Sequence, residues 1–88
     1  MARYFFDTGD SDDVIKDEVG IECDGLEQAR REAMEGLIDL AREYLKDFDG
    51  QQFFIQVRDE KGNQVARLSL SLRMQMRTDE LNDPSLPA

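Results

Sequence analysis

Over residues 65–77 every even-numbered side chain is apolar, and every odd-numbered one after Val65 is polar. A period of two is typical of a β-strand with one buried face, so the segment predicts a long strand. No catalytic motif occurs elsewhere in the chain, and the sheet that contains this strand is therefore the surface on which a function is expected. The apolar positions are Ala66, Leu68, Leu70, Leu72, Met74 and Met76, and the polar ones are Arg67, Ser69, Ser71, Arg73 and Gln75.

The first half of the chain predicts a hairpin followed by a helix. Residues 3–7 are rich in aromatic side chains and predict a first strand, and the Asp-, Ser- and Gly-rich residues 7–13 predict a reversal into a short strand near Val14. Gly20 interrupts the next apolar pattern, which indicates a bulge or bend. A helix is predicted from Gly25 to about Asp47, with Asp24 and Glu27 at capping-box spacing and a C-terminal stop at Asp49 and Gly50.

The predicted helix carries two adjacent apolar stripes. Together they cover an arc of about 180°, which is wider than the ~100° that a helix needs to cover one sheet. We therefore expect part of the second stripe to remain available to a partner. The first stripe comprises Leu26, Ala29, Ala33, Leu37, Leu40 and Tyr44, and the second comprises Met34, Ile38, Ala41, Leu45 and Phe48.

The last two strands predict their own register. Residues 53–57 alternate like the long strand, and a shift by one residue would expose a whole apolar set, so Phe53, Ile55 and Val57 should face Leu70, Leu68 and Ala66. This pairing predicts a two- or four-residue loop and leaves residues 71–77 beyond the third strand. Either the first strand or a second copy of the chain would have to pair with that overhang. We predict a homodimer with a candidate interface of Met34, Ile38, Leu45, Leu72, Met74 and Met76.

These elements predict an α+β fold, with a four-stranded, mainly antiparallel sheet in the order strand-strand-helix-strand-strand and one long helix packed on one face. Residues 1–77 are expected to form a single domain. Residues 78–88 are polar and contain both prolines of the chain, and we expect a disordered tail there.

The charge of the chain is strongly uneven. Residues 1–50 contain 15 acidic and 6 basic residues, a net charge of −9, whereas residues 51–88 contain 5 of each. Residues 7–24 hold eight carboxylates against Lys16 alone, and this density disfavours nucleic acid and suits either solvent or a basic protein partner. The chain has no apolar run of membrane-spanning length and no recognisable export signal, and Cys23 is its only cysteine. A cytoplasmic location is expected from these features.

Four segments of the sequence resemble a family of small bacterial proteins catalogued as domain of unknown function 6894. The resemblance covers about residues 2–77, and the same strand-strand-helix-strand-strand order is what it implies. It implies no activity, so no functional residue is carried over. A looser similarity to the N-terminal part of HicB-type antitoxins, where a hairpin also precedes a helix, implies an antitoxin-like role that masks a basic partner. The four segments are Arg3–Asp7, Asp17–Glu22, Leu26–Arg30 and Val57–Gly62.

The residue types present argue against catalysis and against a metal or cofactor. Histidine is absent, so Cys23 has no imidazole to activate it, and a small buried thiol is the expected role. The carboxylates of Asp17, Glu18 and Glu22 show no difference in environment that would split them into an acid and a base. The acidic residues 10–13 lack the spacing of a calcium loop. We therefore expect a protein that is not an enzyme and has no cofactor.

The polar face of the second hairpin offers one alternative function. Aromatic and arginine side chains alternate there, as they do on sheets that stack nucleic-acid bases and bind phosphates. The overall acidity of the chain makes nucleic acid the less favoured partner. The residues of this candidate face are Phe54, Arg58, Arg67, Arg73 and Arg77.

Overall fold

The computed structural model describes residues 1–10, 12–46 and 49–77. It confirms the predicted α+β class, with one helix on one face of an antiparallel sheet. The predicted tail, residues 78–88, lies outside the described residues. The elements are β1 (Ala2–Asp10), β2 (Val14–Ile15), β3 (Ile21–Cys23), α1 (Leu26–Tyr44), β4 (Gln52–Arg58) and β5 (Gln64–Ser71).

The sheet has the order β2-β1-β4-β5, and β3 pairs with β1 as well. The short second strand predicted near Val14 is thus the first of two strands, since β2 pairs with Thr8 and Gly9 and β3 pairs with residues 2–4. Between them the amide of Phe6 donates to the Asp17 carboxylate at 3.0 Å. The Asp17 side chain therefore supplies a hydrogen bond to β1 in the gap between β2 and β3, where no strand of the described residues pairs with this edge of β1. Gly20, where a bend was predicted, has a φ of 77°.

The core forms where α1 crosses β4. Ala29, Ala33 and Leu37 of the first helical stripe are buried against the inward side chains of β4, which are Phe53, Ile55 and Val57. The predicted register of the last two strands is confirmed, because these three residues face Leu70, Leu68 and Ala66. A Cβ added at Gly36 would lie 3.1 Å from Ile55 Cδ1, so the absent side chain allows the close approach of helix and sheet.

Both predicted ends of the helix need correction. Gly25 is the N-cap residue and makes no side-chain cap, and the Asp24 amide donates to Gln28 Oε1 at 2.6 Å instead of joining a capping box with Glu27. Glu27 pairs with Arg30. The helix ends at Tyr44 rather than near Asp47, because the chain turns extended at Leu45. Gly50 does have a positive φ, of 87°, but it lies in the turn that leads into β4.

The predicted long fourth strand is shorter than expected, because β5 ends at Ser71. Its partner β4 begins at Gln52. One residue beyond the end of this strand pair, the Leu72 amide donates to the Gln51 carbonyl at 2.8 Å, so the hydrogen bonding between the two segments continues to Leu72. The prediction of an even loop is also wrong. Residues 59–63 form a five-residue loop, and a bulge at Val65 absorbs the odd residue, so the apolar register is kept.

Candidate interaction surface

The outer edge of β5 is the most prominent unpaired feature of the described residues. The only strand neighbour of β5 among them is β4. The Leu72 amide bonds toward β4, and alternate residues of an antiparallel strand bond to the same side. The backbone groups of Ala66, Leu68 and Leu70 therefore hydrogen-bond to β4, whereas those of Arg67, Ser69 and Ser71 point away from the sheet. The first strand, which was one candidate to cover this edge, pairs with β4 instead.

The helix leaves an apolar flank above this edge. Met34, Ile38 and Leu45 of the second predicted stripe are 42%, 47% and 47% exposed. A shallow groove of about 140 Å³ lies between the Leu45 end of this flank and β5, and Leu70, which lines it, is 42% exposed. The other residues lining the groove are Ala41, Leu45, Phe53, Ser71 and Leu72.

The six predicted interface residues divide into two groups. Met34, Ile38 and Leu45 lie together on the helix flank. Leu72 and Met74 are half-buried beyond the end of β5, and Met76 is 63% exposed. Residues 71–77 need an external partner less than predicted, because two of their amides have partners within the same chain. The Leu72 amide donates to the Gln51 carbonyl, and the Met74 amide donates to the Asp49 carboxylate at 2.8 Å. The outward-pointing backbone groups lie earlier in the chain, at Arg67, Ser69 and Ser71.

The outer face of the sheet carries arginine–aromatic pairs. The guanidinium of Arg67 lies 4.1 Å from the centroid of the Phe54 ring, and that of Arg58 lies 5.1 Å from the Phe5 centroid. The structure thus brings Phe54 and Arg67 of the candidate nucleic-acid face together. Arg58 also donates to the Asp7 carboxylate, and Arg73 and Arg77 follow the end of β5.

A hydrogen-bonded ion pair joins β1 to β4. Arg58 donates from Nε to Asp7 Oδ2 at 2.7 Å and from Nη2 to Asp7 Oδ1 at 2.9 Å. Asp7 is only 6% exposed, and the Arg58 guanidinium holds its pKa below the ordinary value. The same Nη2 also donates to the Asp17 carbonyl at 2.8 Å, and the Asp17 amide donates to Asp7 at 2.9 Å. Sequence reasoning missed this network, although the arginine and both aspartates lie in the family-like segments.

The Asp17 carboxylate organises the loop between β2 and β3. Besides the Phe6 amide, it accepts from the amides of Val19 and Gly20 at 3.0 and 3.2 Å. Burial acts to raise the pKa of Asp17, but these three hydrogen bonds together lower it. Asp17 therefore serves as a structural acceptor for the backbone of β1 and of this loop.

A cleft lies on the opposite flank of the helix. It has a volume of about 330 Å³ and lies between α1 and the β1–β2 hairpin. The helix packs mainly on β4 and β5, which leaves this space above β1. Phe53 forms its floor, Leu40 and Tyr44 form one wall, and Ile15, which is 71% exposed, forms part of the other. Asp10 and Asp13 also line the cleft, where Asp10 Oδ1 accepts from the amides of Asp12 and Asp13, and Asp12 lines an adjoining hollow.

Two further features concern the chemistry of the chain. The Cys23 thiol is buried in the core, and burial together with the charges of Glu32 and Asp24 raises its pKa, so it is held as the neutral thiol. Within the described residues, no group of carboxylate and cysteine side chains is arranged to hold a metal ion. The helix, the only one in that part of the chain, is too polar to cross a membrane.

Residues 3–71 match the profile of a family described as a domain of unknown function, DUF6894. The chain belongs to this family. The matched range runs from β1 to the last residue of β5, so the DUF6894 domain includes the strand edge, the helix flank and the Asp7–Arg58 pair. Searches of curated proteins and of solved structures find no match.

Proposed function

We propose that this DUF6894 protein is a non-catalytic interaction module that self-associates through β5 and the adjoining flank of α1. The observation that carries this proposal is the coincidence of two unsatisfied features on one side of the molecule. The backbone groups of Arg67, Ser69 and Ser71 point outward from an edge strand, and apolar side chains remain half-exposed beside them. An edge of this kind pairs readily with another strand unless it is covered.

The size of the apolar patch sets the concentration at which association is expected. Covering a half-exposed Leu, Ile or Met side chain stabilises by about 0.7 to 1.5 kcal/mol. A two-fold dimer covers four such residues in each copy, which gives about 6 to 12 kcal/mol before the entropic cost of association is subtracted. Subtracting an association cost of at least about 4 kcal/mol leaves at most about 8 kcal/mol, which corresponds to a dissociation constant of about 1 μM or weaker. The four residues are Met34, Ile38, Leu45 and Leu70.

The charge distribution is compatible with a second copy as the partner. Residues 64–77 contain three arginines and no carboxylate, whereas residues 1–63 contain 17 acidic and 8 basic residues. Residues 64–71, which form β5, contain a single charged side chain, Arg67, so pairing two copies of this strand brings no carboxylates of the acidic chain together.

Sedimentation velocity on the wild-type chain and on Ser69→Pro tests this proposal. The Ser69 amide points away from β4, so proline removes a donor from the outer edge without removing a bond of the β4–β5 ladder. We expect wild type to sediment as a dimer at tens of micromolar and Ser69→Pro to sediment as a monomer. Ser69→Ala is the matched control and should remain dimeric. A wild-type monomer at these concentrations would refute the proposal.

A second pair of variants tests the helix flank. Ile38→Asp places a charge in the middle of the flank, whereas Val14→Asp places one at a similarly exposed apolar residue on the opposite edge of the sheet. Only Ile38→Asp should weaken the dimer, by tenfold or more in dissociation constant. Equal effects of the two variants would show that net charge, and not this flank, controls association.

A second candidate function, the binding of a basic protein partner, is supported by the cleft beside Tyr44. Its apolar floor and its two lining aspartates suit a lysine or arginine side chain, whose stem is apolar and whose head is positive. Such binding would correspond to an antitoxin-like masking role. Capture of a basic protein by wild type but not by Tyr44→Ala combined with Asp13→Asn would support it, and equal capture by both would count against it.

Nucleic-acid binding through the outer face has less support. Arg58 is engaged by the buried Asp7 carboxylate, and the guanidinium of Arg67 covers the Phe54 ring on which a base would stack. Filter binding at low salt with single-stranded RNA and DNA tests this alternative, and retention of either would favour it. We also propose a cytoplasmic location, which the unpaired, buried Cys23 thiol supports.

A further inference from the structure

We propose that the two copies pair antiparallel through β5 about a two-fold axis at Ser69, so that the two sheets become one. This inference rests on the proposed self-association and specifies its register. The regular part of the free edge is limited by the bulge at Val65 and by Leu72, which still bonds to Gln51. Three residues between these limits have outward-pointing backbone groups, Arg67, Ser69 and Ser71, and Ser69 is the middle one.

The backbone favours this axis because it uses every outward-pointing residue of the regular edge. Ser69 pairs with Ser69 of the second copy, and Arg67 pairs with Ser71 of the second copy on either side of the axis. Each such pair exchanges two N–H···O bonds, which gives six bonds across the interface. An axis one residue earlier, at Leu68, would place Ser71 opposite the bulged Val65 and would lose the outer pairs.

Charge excludes the two remaining nearby registers. An axis at Arg67 would place this arginine directly opposite its own copy, and an axis at Leu70 would place Arg67 opposite Arg73 twice. Like charges directly opposite each other across a strand pair are destabilising. With the axis at Ser69, Arg67 lies opposite Ser71 of the second copy and Ser69 lies opposite its own copy. No two charged side chains therefore lie directly opposite each other at the centre.

The same register also covers the apolar side of the edge. It places Leu70 beside Leu68 of the second copy, and Leu72 beside Ala66. These are close, non-hydrogen-bonded pairs whose side chains contact one another on the face that carries the helix. Leu70 is 42% exposed in one protomer, so this contact covers the most exposed inward residue of the regular edge.

The two helices would come together on one face of the joined sheet. A two-fold axis perpendicular to the sheet keeps both helices on the same side, and each lies over β4 and β5. With strands about 4.8 Å apart, the helix axes would be about 10 to 14 Å from each other. This is close to the 8 to 10 Å of packed helices, so the flanks of Met34 and Ile38 would meet across the axis.

Cysteine crosslinking tests the register. In a hydrogen-bonded antiparallel pair the Cα atoms are about 5.5 Å apart, which is within the range that a disulfide spans. Ser69→Cys should therefore form a covalent dimer under mild oxidation, and an equimolar mixture of Arg67→Cys with Ser71→Cys should do the same. Ser71→Cys alone should not, because the two cysteines would be about 13 Å apart along the strands. Cys23 is buried and serves as the internal control in wild type.

The possible outcomes separate the register from the self-association itself. Covalent dimers of Ser69→Cys and of the mixed pair support the register. A chain that sediments as a dimer but crosslinks through Ser71→Cys or Arg67→Cys alone overturns the register and leaves the proposed function standing. A dimer that crosslinks through none of these variants also overturns it. A wild-type chain that sediments as a monomer overturns both proposals.

Discussion

The Asp7 carboxylate accepts two hydrogen bonds from the Arg58 guanidinium, at 2.7 and 2.9 Å, across the two central strands of the sheet. Arg58 lies directly opposite Phe5, and Asp7 opposite Gln56, so the ion pair is a diagonal contact. Through Nη2 it also reaches the Asp17 carbonyl. One guanidinium thus holds β1, β4 and the loop after β2 in a fixed relationship, which explains how a small sheet keeps an interrupted outer strand in place.

Removing the cation of this pair should be more harmful than removing both charges. Arg58→Met leaves the buried Asp7 carboxylate without its guanidinium, and we expect a loss of about 1 to 3 kcal/mol in the free energy of unfolding. The double variant Asp7→Asn, Arg58→Met buries no charge and should lose less. Urea unfolding followed by circular dichroism measures both. A double variant less stable than Arg58→Met would contradict this account.

Stability should decrease in acid. The pKa values of Asp7 and Asp17 are lowered in the folded protein from the ordinary value of 3.8. A carboxyl whose folded pKa is depressed contributes stability above its unfolded pKa and loses it as the pH falls through the folded value. We therefore expect constant stability well above pH 4 and a progressive loss below it. Urea unfolding between pH 7 and pH 2 measures this, and Asp17→Asn should flatten the decrease.

Local patterns were sufficient to predict the core of this fold. The register of Phe53, Ile55 and Val57 with β5 followed from their alternation, because a slip by one residue would expose an entire apolar set. The exposed second stripe of the helix followed from an apolar arc too wide for one sheet. Met34, Ile38 and Leu45 were therefore recognisable as interface candidates before the structure was known.

Features that depend on long-range partners could not be predicted in this way. The end of β5 depends on where β4 begins, and the interruption between β2 and β3 depends on Asp17 reaching the Phe6 amide. Arg58 was placed on a nucleic-acid face, because its buried partner Asp7 lies 51 residues earlier in the chain. Side-chain partners so distant in sequence leave no periodic signal.

The C-terminal end of the helix should depend on Gln51. This side chain is 7% exposed, donates from Nε2 to the Tyr44 carbonyl at 2.9 Å and accepts from the Lys46 amide at 2.8 Å. Gln51→Ala leaves both backbone groups without this partner, and we expect a loss of about 0.5 to 2 kcal/mol in unfolding free energy. The exposed neighbour Gln52 gives the control Gln52→Ala, which should change stability by less than about 0.5 kcal/mol. Equal effects of the two variants would exclude a capping role for Gln51.

The Cys23 thiol should react slowly in the native protein. It is fully buried, so a reagent cannot reach it, and burial raises its pKa, so little of the reactive thiolate forms. We expect the aromatic disulfide reagent DTNB to modify it at least a hundredfold more slowly in buffer than in concentrated urea. Rapid modification without denaturant would show that the segment around β3 opens readily.

Gly9 should tolerate no side chain, because the Phe54 ring lies over it. A Cβ at this position would lie 2.4 Å from Phe54 Cζ and 2.8 Å from the Asp13 carbonyl oxygen. Gly9→Ala must displace either the ring or the hairpin backbone, and we expect it to cost about 1 to 3 kcal/mol in unfolding free energy. Phe54→Leu removes the ring atoms, so the same glycine substitution should cost less in that background. If Gly9→Ala cost the same in both backgrounds, the Asp13 carbonyl and not the ring would be the obstacle.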